Sequence, residues 1–214
     1  MEPHVFHRDK KPGWIEVVCG SMFSGKTEEL IRRMRRARIA RQRVEIFKPA
    51  LDDRFSDDAV VSHDESVIPS TPVDTASQIL LLAGSAEVIG VDEAQFFDLS
   101  LVEVCQQLAR DGRRVIVAGL DQDYLGRPFE PVPQLMAVAE YVTKLHAICV
   151  VCGDPANHSQ RLVRAGQRVL LGAKEAYEPR CRACFNPDGD APTPPRSDTG
   201  NEQTQRSTSE TSVG

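Results

Sequence analysis

The sequence has no long hydrophobic run: nothing in its 214 residues approaches the ~20 consecutive apolar residues that a membrane-spanning helix needs. It also lacks an excess of positive charge, because the formal net charge is −5, which argues against nonspecific nucleic-acid binding as its main role. Residues 1–11 are polar and of mixed charge, unlike a secretory signal. No internal repeat is evident. We therefore expect neither a membrane nor nucleic acid as a partner, and a cytoplasmic location as the default.

The composition is that of a soluble globular protein, with 41% hydrophobic and 27% charged residues. The length allows one substantial core plus a small additional module. Residues 15–148 alternate apolar strand-like runs with helical patterns, which indicates an α/β fold with a parallel sheet covered by helices. We predict four regions: a loose leader at 1–13, a nucleotide-binding domain at 14–148, a cysteine-bounded module at 149–185 and a disordered tail at 186–214.

The individual elements follow from the same patterns. Strands are predicted at Ile15–Cys19, Val44–Phe47, Val88–Val91, Val115–Ala118 and Tyr141–Ile148. Helices are predicted at Lys26–Arg41, Thr75–Ala83, Leu99–Asp111 and Val132–Val138. The segment 49–72 is rich in Asp, Ser and Pro, and it is predicted to be a functional loop or a poorly ordered excursion.

A phosphate-binding pattern, G-x-x-x-x-G-K-[ST], follows the first predicted strand and opens the first predicted helix. Backbone N–H groups at such a turn point at an anion, and a lysine and a hydroxyl reach the phosphates and Mg²⁺. A chance match on a surface turn is the alternative, and the strand and helix on either side argue against it. The predicted ATP-binding residues of this loop are Gly20, Ser21, Met22, Phe23, Ser24, Gly25, Lys26 and Thr27.

An apolar strand that ends in Asp92 and Glu93 resembles the acidic element that accompanies such loops. Asp92 is expected to contribute to the coordination shell of Mg²⁺ on the side opposite Thr27. Glu93 is placed to accept a proton from an attacking hydroxyl. An ordinary acidic pair at the end of a strand is the alternative for both residues.

Four of the six cysteines form two C-x-x-C pairs, Cys149 with Cys152 and Cys181 with Cys184. Two such pairs in a cytosolic protein predict a tetrahedral Zn²⁺ site, and four thiolates leave no open position, so the metal is expected to be structural. Two unrelated pairs, or a redox dithiol, are the alternative.

Apolar and aromatic side chains occur on two loops that follow neighbouring predicted strands. They suit the flat face of a nucleobase, although packing between loops explains them equally well. These residues are Phe96, Leu120, Tyr124 and Phe129.

Taken together, the motifs resemble those of the type II thymidine kinases over residues 13–185. The matching segments, in order, are GSMFSGKT (20–27), KPALDDR (48–54), SHD (62–64), DEAQFF (92–97), GLDQDY (119–124), RPF (127–129) and the two cysteine pairs.

The resemblance implies a P-loop (RecA-like) parallel sheet with a small zinc-containing lasso domain. It implies transfer of the γ-phosphate of ATP to the 5′-hydroxyl of thymidine, and of deoxyuridine, in nucleotide salvage, with Glu93 as the general base. It also implies a homotetramer that thymidine triphosphate inhibits, with catalytic Mg²⁺ and structural Zn²⁺. Further residues matched to the family are Asp92, Glu93, Ala94 and Gln95 in the ATP site, Asp52 and Arg54 in a loop near the phosphates, and Val169, Leu170, Leu171, Gly172 and Tyr177 in the lasso.

Two other functions remain open from the residues alone. The loop at 20–27 with Asp92 and Glu93 also fits an ATPase or GTPase coupled to a partner. The zinc pairs and the arginine-rich stretch 32–38 also fit a nucleic-acid-binding module, although solvated arginines on the outer faces of a helix explain that stretch better.

Overall fold

The structure is a computed structural model that describes residues 12–50, 69–162 and 176–187. Six strands form one sheet in the order β3-β2-β4-β5-β1-β6, and every neighbouring pair is parallel. The strands are β1 (Trp14–Gly20), β2 (Val44–Pro49), β3 (Ser70–Val73), β4 (Val88–Val91), β5 (Arg114–Gly119) and β6 (Tyr141–Leu145).

Helices cover both faces of this sheet. The helices are α1 (Lys26–Ile39), α2 (Ala76–Leu82), α3 (Ser100–Arg110) and α4 (Val132–Val138). On one face Leu30 and Met34 of α1 pack with Val18 of β1, and on the other Leu101 of α3 packs with Val17. Successive residues of a strand point to opposite faces, so this sheet is buried on both sides, as its continuous apolar runs predict. The predicted α/β fold class is confirmed.

Most predicted elements lie within two residues of the observed ones, and α4 has the predicted bounds. The segment 49–72 was predicted wrongly at its end, because Ser70–Val73 forms β3 at the edge of the sheet. This strand is short and contains Pro72, a residue that the outer strand of a sheet tolerates. The single strand predicted at Tyr141–Ile148 is instead β6 followed by a separate strand, β7 (Ala147–Ile148).

The cysteine-bounded module contains two small antiparallel pairs in its described residues. β7 pairs with β8 (Pro155–Ala156), and β9 (His158–Arg161) pairs with β10 (Tyr177–Arg180). β7 leads into the first cysteine pair and β10 leads into the second, so each pair begins where a short strand ends.

Candidate active site at the carboxyl edge of the sheet

The loop between β1 and α1 has the backbone of an anion site. Gly25 has φ of 83° and immediately precedes the first residue of the 14-residue helix α1. Gly20 has φ of 146°, and a Cβ there would lie 2.3 Å from the carbonyl oxygen of Leu145, so no other residue fits. Phe23, which is not a glycine, is also left-handed, with φ of 63°. The loop therefore aims the N-terminus of a long helix at the site that a phosphate would occupy.

Lys26 is drawn inward over this loop. Its Nζ donates to the carbonyl oxygen of Ser21 at 2.8 Å, and the hydroxyl of Ser24 donates to the same oxygen at 2.8 Å. Burial lowers the pKa of the Lys26 ammonium, while the charges of Glu93 and Asp92 act in the opposite direction. The lysine therefore lies in the field of both carboxylates, as it must if all three serve one site.

Thr27 and Asp92 meet across the site. Thr27 Oγ1 lies 3.4 Å from Asp92 Oδ1, and the same carboxylate oxygen accepts the N–H of Glu93 at 2.9 Å. Burial, with the nearby charge of Glu93, raises the pKa of Asp92 to about 6. A hydroxyl and a carboxylate in contact are oxygen donors of the kind that Mg²⁺ prefers, so this pair fits the predicted metal position.

Glu93 stands at the turn after β4 in a left-handed conformation, with φ of 51° and ψ of 42°. Its side chain is exposed, and its Oε2 accepts a hydrogen bond from Gln95 Nε2 at 2.5 Å. Gln95 is 3% exposed, and its Oε1 accepts the N–H of Leu120 at 2.9 Å. Left-handed backbone is uncommon outside glycine and occurs often at functional sites, where the surroundings hold it. One glutamine thus fixes the exposed carboxylate to the loop that follows β5.

The loop after β5 carries three of the four predicted base-contacting residues, and Phe96 lies in a single 3-10 turn (Ala94–Phe96) after β4. Leu120, Tyr124, Phe129 and Phe96 are all half-buried. A bridge between Gln122 and Pro128 closes the loop after β5.

The four cysteine sulfurs meet as the spacing predicts. Their Sγ atoms all lie within 4.8 Å of one another. Tetrahedral zinc with Zn–S bonds of ~2.3 Å requires sulfurs roughly 3.8 Å apart, so the donor set fits structural Zn²⁺. Burial acts to raise the pKa of Cys149, but N–H groups of Cys181, Cys152 and Val151 outweigh it and bring that pKa to about 6. These N–H groups favour a thiolate within the cluster, and the thiolate is the form that binds zinc.

Comparison with known proteins agrees with this geometry. The profile of one protein family, described as thymidine kinase, matches residues 13–185. The chain belongs to the thymidine kinase family. The resemblance inferred from the motifs is confirmed, and with it the reaction class, an ATP-dependent kinase reaction.

Individual thymidine kinases are similar over most of their length. The thymidine kinase of Rhodothermus sp. (strain ITI 518) is 72% identical over 187 residues, which cover 87% of this chain and 88% of that protein. The thymidine kinase of Bacteroides thetaiotaomicron is 59% identical over 184 residues, covering 86% and 92%. That of Bdellovibrio bacteriovorus is 57% identical over 182 residues, covering 85% and 89%.

Some of the residues predicted to form the site lie outside the part of the chain that the structure describes. They are Asp52 and Arg54 of the phosphate-proximal loop and Val169, Leu170, Leu171 and Gly172 of the lasso, and the proposed leader and tail are almost wholly outside as well. Tyr177, the last residue predicted for the lasso, is described and is 8% exposed. Among the helices that the structure describes, none has the length and apolar character to cross a bilayer.

The structure also shows contacts that sequence reasoning missed in this thymidine kinase family member. The N–H of Met22 donates to Ser159 Oγ at 3.0 Å, so the cysteine-bounded module touches the phosphate loop directly. Lys144 Nζ lies 2.5 Å from Asp121 Oδ2, which gives a partner to an aspartate that had no predicted role. The first contact joins residues 137 positions apart, and no local pattern could have revealed it.

Proposed function

We propose that this chain transfers the γ-phosphate of ATP to the 5′-hydroxyl of thymidine, and of deoxyuridine, yielding the nucleoside monophosphate and ADP. Membership of the thymidine kinase family supports the substrate class. The observation that carries the reaction type is Glu93: an exposed carboxylate, held by Gln95, at the same sheet edge as Lys26 of the phosphate loop.

The ATP phosphates are proposed to lie on the loop at 20–27, against the N-terminus of α1. Lys26 exchanges its hydrogen bond to the Ser21 carbonyl for the phosphate oxygens, which offer a charged acceptor in place of a neutral one. Ala94 and Gln95 complete the proposed ATP site, and Gln95 also orients Glu93. Mg²⁺ would be held by Thr27 and Asp92, and when bound it neutralises charge on the phosphates.

Glu93 is proposed to act as the general base. As the 5′-oxygen of thymidine forms its bond to the γ-phosphorus, the hydroxyl proton passes to the Glu93 carboxylate and the bond to the leaving β-phosphate oxygen breaks. Lys26 offsets charge on the transferring group. Most of the rate enhancement in such a site comes from position and electrostatics.

The thymine base is proposed to contact Phe96, Leu120, Tyr124 and Phe129, and the lasso residues Val169, Leu170, Leu171, Gly172 and Tyr177 are proposed to cover it. Asp52 and Arg54 are proposed to approach the phosphates. These assignments rest on the family resemblance and, for Phe96 and the loop after β5, on their position at the edge that bears Glu93.

Zinc bound by Cys149, Cys152, Cys181 and Cys184 is proposed to hold the base of the lasso. The division into a kinase domain at 14–148 and a zinc module at 149–185 and the cytoplasmic location are proposals from the sequence patterns and composition. The homotetramer and inhibition by thymidine triphosphate are likewise proposals, and they come from the resemblance. They await size-exclusion chromatography with light scattering, and inhibition kinetics.

A nucleoside panel tests the proposed function. Purified protein is incubated with Mg-ATP and with thymidine, deoxyuridine, deoxycytidine or deoxyadenosine, and the nucleoside monophosphate and ADP are quantified. We expect one thymidine monophosphate per ADP, a slower reaction with deoxyuridine and no product from the other two. ADP formation without phosphorylation of any nucleoside would instead indicate the partner-coupled ATPase.

A further inference from the structure

Arg161, the last residue of β9, lies over one of the predicted base-contacting side chains. Its guanidinium carbon is 4.8 Å from the centre of the Tyr124 ring. That distance is within the ~6 Å at which a cation is attracted to the face of an aromatic ring. Arg161 is half-buried, and partial desolvation strengthens such a contact.

The pairing of β9 with β10 brings Arg161 to a second predicted substrate residue. Arg161 is the direct antiparallel partner of Tyr177. Side chains of directly opposed residues project from the same face of a two-stranded sheet, with Cβ atoms about 5 Å apart. Arg161 thus lies over one aromatic residue and directly opposite another, and the two come from separate parts of the chain.

The backbone of the loop that carries Tyr124 is fixed by the residues beside the tyrosine. The carboxylate of Asp123 accepts the N–H groups of Leu125 and Arg127 at 2.9 and 3.0 Å. Gly126, with φ of 74°, packs beside Phe185 of the zinc module; a Cβ there would be 3.1 Å from that ring. These contacts shape the loop, while Arg161 contacts the ring that it presents.

We propose that Arg161 is a positioning residue for the nucleoside base, which acts by holding the Tyr124 ring from the side of the β9–β10 hairpin. The inference rests on the proposed thymidine site, and it assigns a role to a residue that neither the motifs nor the mechanism above uses. Arg161 touches no reacting atom, so its loss weakens thymidine binding rather than phosphate transfer. A planar guanidinium is required, because an ammonium group cannot stack on the ring in the same way.

A double-mutant cycle tests this proposal. The four proteins are the wild type, Arg161→Met, Tyr124→Leu and the double variant, and the Kd values of thymidine and of Mg-ATP are measured separately by equilibrium binding. We expect Arg161→Met to raise the thymidine Kd about five- to tenfold in the wild-type background and less than about twofold beside Tyr124→Leu. The Kd of Mg-ATP and the saturated kcat stay within about twofold of wild type.

Two further variants separate positioning from folding. Arg161→Lys keeps the charge but replaces the planar guanidinium with a slightly shorter ammonium side chain, and we expect it to recover less than half of the lost affinity. Arg110→Met removes an exposed arginine of α3 that bonds only to Gln107 among the contacts described, and it should leave both Kd values unchanged. Zinc content and Tm are measured for every variant.

Equal losses of thymidine affinity in both backgrounds would overturn the proposal, because Arg161 would then not act through Tyr124. A parallel loss of Mg-ATP affinity or of zinc would also overturn it, in favour of a structural role. If the wild type binds Mg-ATP but no thymidine, the proposed function itself fails, and this inference with it.

Discussion

The side-chain amide of Gln95 donates to Glu93 Oε2 at 2.5 Å, while its oxygen accepts the N–H of Leu120 at 2.9 Å. The glutamine is buried and the carboxylate is exposed, so a fixed group orients a solvent-facing one. The amide nitrogen and the amide oxygen each make a hydrogen bond, and exchanging the two atoms would break both bonds, so the amide has one orientation. Gln95 therefore sets where the exposed carboxylate points relative to the loop after β5.

Replacing Gln95 by Met should keep the buried volume and remove this orientation. We expect kcat to fall about tenfold or more, because a misplaced base loses much of its contribution. The Kd of Mg-ATP should change less than about threefold, because Gln95 is only one of several residues of the proposed ATP site and the phosphate loop is unchanged. Steady-state kinetics and equilibrium binding give the two values. Gln107→Met on α3, which removes bonds to Asp111 and Arg110, is the matched control. An unchanged kcat in Gln95→Met would show that Glu93 does not depend on this contact.

The raised pKa of Asp92 predicts that the stability of the folded protein depends on pH, at a residue that is also proposed to hold Mg²⁺. Its pKa is about 6 in the folded protein, against ~3.9 in an unfolded chain. Above pH 6 the carboxylate is charged in both states, and burial penalises only the folded one. As the pH falls from 6 to about 4 the folded state takes up the proton first, and the penalty disappears.

Asp92→Asn should therefore raise the free energy of unfolding of the ligand-free protein at pH 8 by roughly 1–2 kcal/mol. This gain should shrink as the pH falls through 6 and vanish near pH 4, in urea titrations at each pH. The amide oxygen can still accept the Glu93 N–H, so the comparison isolates the charge. A gain that is the same at pH 5 and pH 8, or a loss at pH 8, would contradict the assigned burial penalty. The same variant should lose Mg-ATP turnover.

The cysteine cluster predicts one zinc ion per chain. Cys152→Ser should abolish stoichiometric zinc in purified protein, since three thiolates and a hydroxyl bind it far more weakly. We expect thymidine binding to weaken strongly, because β10 leads from Tyr177 directly into Cys181. Cys105→Ala removes a buried thiol of α3 that is outside the cluster, and it should keep full zinc content. Full zinc in Cys152→Ser would show that the cluster is not the metal site.

Local sequence patterns predicted most strands of the sheet and the phosphate loop at its carboxyl edge. Buried parallel strands such as Val88–Val91 are continuous apolar runs, and the phosphate loop carries its own glycines, so both could be recognised without tertiary information. The cysteine spacing predicted the cluster of four sulfurs for the same reason. β3 was missed because Ser70–Val73 is short, polar and contains proline, and only pairing with β2 makes it a strand.

The contacts between distant segments could not be predicted from the sequence. Two of them, Ser159 Oγ with the Met22 N–H and Arg161 with the Tyr124 ring, depend on how the cysteine-bounded module packs against the main sheet. The third, Lys144 with Asp121, joins β6 to the loop after β5. Met22, Asp121 and Tyr124 belong to recognisable motifs, but those motifs do not show which distant residues contact them. Only the distances in the folded structure reveal these contacts.

The central claim, that Glu93 is the general base, is tested most directly by single-turnover phosphorylation with Glu93→Gln. The protein is saturated with thymidine and Mg-ATP after both Kd values have been measured. We predict that both Kd values stay within about threefold of wild type and that the rate of phosphate transfer falls by about 10²-fold or more. A transfer rate near that of the wild type, with both substrates bound, would contradict the account and remove Glu93 from the chemistry.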